Sequence, residues 1–133
     1  MKHENPYKEA MRYVENAEEI LKSAGKDGKY YIDDKYVKIA CGTAYSGILV
    51  ALDGLFDIKN LPKRRGRKSI DYYQSNLAKI DKKLLKDLNN AYTVLHLDGY
   101  YGGITGIKTV ESGFDYAISL IEALKPYSNN GAE

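Results

Sequence analysis

The chain has 133 residues, 44% hydrophobic and 29% charged, with twenty basic side chains against eighteen acidic ones. That length fits one domain, 1–133, able to bury a real core. A net charge of +2 is too balanced for a whole-surface attraction to nucleic acid. Cys41 is the single cysteine, so no intrachain disulfide can form. The N-terminus "MKHENPYKEA" is polar, and no run approaches eighteen apolar residues. A cytoplasmic protein that does not enter the membrane is therefore expected. Tyr occurs thirteen times, Phe twice and Trp not at all, so the aromatic surface comes almost entirely with a hydroxyl.

The first helix is expected over about 5–24. Asn5 suits its N-cap and Pro6 its first turn. Ala10, Tyr13, Val14, Ala17, Leu21 and Ala24 form its stripe, and Gly25 is its stop. "KDGKYYIDDK" then reads as a turn in which Asp33 or Asp34 caps the next helix rather than pairing around a metal.

The second helix, about 34–56, carries a narrow strip of small residues: Ala40, Ala44, Gly47 and Ala51. Its other side holds Tyr45, Leu49, Leu52 and Phe56. A helix apolar nearly all round needs cover on more than one side. It is either the central helix or, as we expect from these four residues, the contact between subunits of a homodimer. Cys41 reads as a small buried hydrophobe rather than a nucleophile.

"DIKNLPKRRGRKS", 57–69, is a basic linker in which Lys63, Arg64, Arg65, Arg67 and Lys68 are candidate phosphate contacts. Tyr72 and Tyr73 follow closely enough to stack bases beside it. Ser69 is expected to cap a short helix, about 70–80, and Asp81 to begin a longer one, about 81–100. The longer helix has the stripe Leu84, Leu88, Ala91 and Leu95. The two could equally form one bent helix. Gly99 ends the pattern and "GYYGGITG" is a turn. "GGITGIKT" matches a phosphate-binding loop at Gly102, Lys108 and Thr109. Ile107 replaces its second glycine and a helix precedes it where a strand is needed, so a plain turn is expected. The last helix spans about 106–125, Pro126 stops it, and 126–133 is a polar tail. No period-two run suggests a sheet. The expected fold is all-α: a four-helix up-and-down bundle with one extra short helix and a core over about 5–125.

His96 is the only internal histidine. It lies at the edge of its helix stripe, on the side of Tyr92 and Asn89. No second ligand type clusters with it, so no metal site or cofactor is expected. As a general base it would need a cation or nucleophile close by. With Tyr100 and Tyr101 it instead marks a candidate binding edge.

The layout of "YKEAMRYVENAEEIL", "KYVKIACGTAYSGILVAL", a basic link, "LNNAYTVLHLDGYYGG" and a closing helix resembles the HEPN superfamily of small helical bundles. The likeness in layout covers about 5–125, with its specific part at 89–103. It implies the bundle fold and a dimer. Many such proteins are metal-independent ribonucleases with Arg, four to six residues, then His. His96 matches that histidine, whereas Asn89, Asn90 or Ala91 stands where the arginine belongs. Without that cation the charge developing on a phosphate goes unstabilised. The sequence therefore points first to a non-enzymatic, dimeric binding or interaction module, with a protein or a nucleic acid as partner. The alternative is an RNA binder or degenerate ribonuclease using His96 with the loop arginines.

Overall fold

Asn5 opens the first helix as its composition demands. Its side-chain oxygen accepts from the backbone N–H of Tyr7 at 2.9 Å and of Lys8 at 3.3 Å, satisfying two orphan donors. This helix, α1, runs Pro6–Lys22 in a computed structural model that describes residues 5–62, 66 and 68–127. Next come a hairpin of β1 (Lys26–Asp27) and β2 (Tyr30–Tyr31), then α2 (Asp34–Ile58), α3 (Ile70–Ile80) and α4 (Lys82–Ala91). A π-helical segment (Tyr92–Tyr101) and α5 (Ile107–Glu122) complete the chain. The protein is all-α in its bulk.

The hairpin corrects the expectation of no sheet. Lys26 pairs with Tyr31 and Asp27 with Tyr30, antiparallel. Two-residue strands are too short to show alternation. The readable cue was Asp27-Gly28, with Gly28 at φ +63° in the first loop position, which hairpin turns favour. The hairpin is tied to the loop before α5. The N–H of Tyr31 donates to the Thr105 carbonyl at 2.8 Å, and that of Ile107 to the Lys29 carbonyl at 3.0 Å. The stretch resembling a phosphate-binding loop is thus a glycine turn between helical elements, held by backbone pairing.

Asp33 caps α2 through the Lys35 N–H at 3.0 Å. Asp81 caps α4 through Lys83 and Leu84, and its extended backbone (φ −162°) makes α3 and α4 two helices rather than one bent one. Ser69 stands at the N-cap of α3 but makes no side-chain capping bond. Among the described residues, no group of three or more His, Cys, Asp and Glu is placed to hold a metal ion.

The centre is α2. It is long and apolar enough to cross a membrane by length and composition, and it packs against α1, the π-helical segment and α5. Its small strip meets α1 closely: a Cβ on Gly47 would lie 3.0 Å from the Ala10 carbonyl oxygen. Ile48, Leu52 and Leu55 are wholly or almost wholly buried, and such side chains contribute about 1.5–3 kcal/mol each. Between α4 and α5, the nearly buried Asp87 accepts from Lys83 at 3.2 Å and Ser119 at 3.4 Å.

Tyr45, Leu52 and Phe56, assigned from sequence to a subunit contact, are 7%, 0% and 2% exposed, covered by the chain's own elements. Of those four only Leu49 is half-exposed. Periodicity cannot tell cover by another subunit from cover by a later helix of the same chain.

Candidate functional site

Gly99 does not end the helix. The chain runs on through Tyr101 with wider, π-type hydrogen bonding, closed by the Gly102 N–H donating to the Leu97 carbonyl at 3.0 Å. An i→i+5 ladder places residues four and five apart on nearly one side. Ala91, Leu95 and Gly99 therefore face the core, all buried. Tyr92, His96, Tyr100 and Tyr101 gather on another side. His96 reaches both Tyr100 (centroids 6.0 Å, rings 11° apart) and Tyr101 (5.0 Å, edge-on). The wide helix fits because its neighbours are small: a Cβ on Gly99 would stand 2.5 Å from Cys41 Sγ, and one on Gly42 would stand 2.7 Å from the Tyr100 ring.

The histidine is the hub of an aromatic row. It stacks on Tyr45 of α2 at 4.7 Å and on Tyr92 at 5.2 Å. Tyr45 and Tyr92 meet at 6.0 Å, and Tyr100 and Tyr101 at 5.0 Å. Such pairs contribute about 0.5–1.5 kcal/mol each beyond area. The His96 side chain makes no hydrogen bond or ion pair with a described residue, and burial lowers its pKa below the usual 6.5. Among the described residues, the imidazole's side-chain contacts are thus ring contacts. The row's outer end is open: Leu97, Tyr100 and Tyr101 are 43%, 46% and 64% exposed, and Ile39, one turn from Gly42 on α2, is exposed too.

The other sequence candidates separate from this row. Lys63, Arg64, Arg65 and Arg67 lie outside the described residues. Lys68 is described, and its ammonium binds Asp53 of α2 at 3.0 Å. Asp53 also accepts the Tyr73 hydroxyl at 3.1 Å. Tyr73 is buried and belongs to the core, whereas Tyr72 packs edge-on against Phe56 at 5.8 Å, stays half-exposed and has the Lys68 ammonium 5.8 Å from its ring centroid. At the position of the absent arginine, Ala91 is fully buried and Asn89 accepts from Gln74 at 2.8 Å. Asn89 thus engages α3, not His96. Cys41 is fully buried and its thiol is pushed up to about 12, which makes it inert. Sequence reasoning placed His96 beside Tyr92 but missed Tyr45. That contact crosses fifty-one residues of chain, and no local spacing signals it.

Fold and site define a small helical protein with a half-open aromatic row and no assembled catalytic set among the described residues. The chain belongs to the family described as Domain of unknown function (DUF5618), which matches residues 5–125. It is similar to a solved structure, a protein of unknown function from Dyadobacter fermentans. The two are 40% identical, with a TM-score of 0.81, covering 92% of this chain and 94% of that one. No curated protein matches the chain.

Proposed function

We propose that the chain is a non-enzymatic, HEPN-like binding module that acts as a homodimer, with the outer end of the aromatic row as its contact surface. The carrying observation is the exposure of Leu97, Tyr100 and Tyr101 around a histidine that has no polar partner among the described residues. Clustered exposed aromatics favour association, since they bury much area at little rotamer cost. A general base needs an orienting acceptor and a nearby charge, and His96 has stacked rings instead. Four long helical stretches with short α3 between the second and third support the bundle reading. A reducing, cytoplasmic setting suits the lone thiol.

Sedimentation equilibrium tests this. The expected mass is twice the 15.0 kDa of one chain, falling to one chain mass in Leu97→Asp and Tyr101→Asp. A wild-type protein at one chain mass across the micromolar range would refute the dimer.

One observation favours a second reading, an RNA binder or degenerate ribonuclease. Lys68, at the end of the basic linker, is fixed on Asp53, eight residues along α2 from the Tyr45 on which His96 stacks. Eight residues of helix span about 12 Å. Under this reading RNA binding weakens steeply with salt and with replacement of Arg64, Arg65 and Arg67, and any cleavage is lost in His96→Ala. Binding indifferent to both salt and arginines sinks it.

A further inference from the structure

A second feature lies away from the aromatic row. Between α1 and α5 runs a groove of about 390 Å³, to which the hairpin contributes Tyr31. That volume falls in the range of small-molecule sites, about 300–1,000 Å³. Its floor is apolar: Leu21 from α1 with Phe114 and Ile118 from α5. Three carboxylates line its edges: Glu18 on α1, Glu111 and Asp115 on α5. All three are exposed, and none is in an ion pair with a described residue.

Carboxylates on a surface do not make a site by themselves. The second observation is Tyr31. It is only 5% exposed and lines the groove, yet its hydroxyl makes no hydrogen bond with any described residue. Buried polar groups are normally satisfied, so a partnerless one marks a place where a ligand or solvent completes the set. Burial raises the Tyr31 pKa first, and Glu111 and then Cys41 raise it further. The phenol stays protonated and neutral, with lone pairs to offer an N–H donor.

Two lysines also line the groove, against three carboxylates, and Glu18 already acts on the Lys22 ammonium. The Lys22 ammonium is held by Glu19 at 2.9 Å. The Lys26 ammonium lies 6.0 Å from the centroid of the Tyr31 ring, so a cation is already accommodated over that ring. Glu111 and Asp115 are one helical turn apart, about 5–6 Å. Two ammonium groups on a four-carbon stem have that spacing.

We propose that this groove binds an aliphatic diamine or polyamine. The stem lies on Leu21, Phe114 and Ile118, and the ammonium groups bind Glu111 and Asp115, with Glu18 facing them from α1. The Tyr31 hydroxyl accepts one N–H, and the incoming cation displaces Lys26 from the ring. The site is independent of the aromatic row and of the proposed dimer.

The test is calorimetric titration of the full chain with 1,4-diaminobutane and with spermidine, alongside NMR shift mapping. The expected result is saturable one-site binding, with shifts centred on Tyr31 and Phe114. Glu111→Gln and Asp115→Asn should each weaken it about tenfold or more, and Tyr31→Phe severalfold. Lys26→Ala should tighten it, and butylamine, with one ammonium, should bind at least about tenfold more weakly. Circular dichroism checks that each variant is folded, which the exposure of both carboxylates favours. No saturable binding at millimolar diamine would overturn the proposal. So would unchanged affinity in the folded Glu111→Gln, Asp115→Asn double variant, or shifts centred on His96.

Discussion

Replacing Gly99 with alanine distinguishes a helix terminator from a packing contact. Gly99 has no positive φ, so its backbone is one that alanine accepts. At an open helical position that exchange stabilises by about 1 kcal/mol. Here the added Cβ would lie 2.5 Å from Cys41 Sγ, 2.7 Å from Cys41 Cβ and 3.1 Å from the Val94 carbonyl oxygen. None of these is the loose end of a long side chain, and Cys41 is fully buried, so the π-helical segment must be pushed off α2. Overpacking of this kind costs about 1–3 kcal/mol. Against the helical gain, the net is a loss of up to about 2 kcal/mol, lowering Tm by up to about 8 °C. Thermal and urea unfolding of Gly99→Ala, Cys41→Gly and the double variant measure it. The double variant should be less destabilised than the sum of the singles by about 1 kcal/mol, because removing the Cys41 side chain makes room for the methyl group added at Gly99. A Gly99→Ala protein more stable than wild type, with additive effects in the cycle, would refute the close approach and restore the terminator.

Three further outcomes follow from the same geometry. The folded state lowers the His96 pKa by burial, so its contribution to stability is complete above the unfolded value near 6.5 and is lost as pH falls through the folded value. Tm should therefore drop from about pH 6.5 downward, and His96→Phe should flatten that slope; equal slopes in both proteins contradict it. Cys41, with its thiol pushed up to about 12, should resist a thiol-alkylating reagent at pH 8 in the folded protein and react promptly in urea; rapid modification of the folded state would show that it is accessible. Asp53→Ala removes the acceptor of both Lys68 and the buried Tyr73 hydroxyl, and should cost about 1–3 kcal/mol in urea unfolding. A loss equal to that of Lys68→Ala alone would assign all of it to the surface ion pair.

The helices were legible because their signals are local. Asn5, Asp33 and Asp81 cap where short polar side chains precede an apolar stripe, and the small strip of α2 announced close packing. The hairpin stayed hidden because two residues per strand carry no period. The π register did as well, since Tyr92, His96 and Tyr100 are spaced as for an α-helix, and the wider turn shows only in the folded chain, in the Gly102-to-Leu97 hydrogen bond and the contact of His96 with Tyr101. Tyr45, Leu52 and Phe56 were read as outward because a wheel shows an apolar face without showing what covers it. The π-helical segment covers Tyr45, and α3 brings Tyr72 and Tyr73 over Phe56. Tyr31, Glu111 and Asp115 come together only when the hairpin folds against α5, eighty residues later in the chain.

The most direct measurement is a filtered NMR experiment on a mixture of labelled and unlabelled chains, which detects only contacts between copies. Cross-peaks between the rings of Tyr100 and Tyr101 and the methyl groups of Leu97 or Ile39 in another copy are the expected result. Contacts confined to α1 and α5, or none at millimolar protein, would contradict the proposal that this protein associates through the aromatic row.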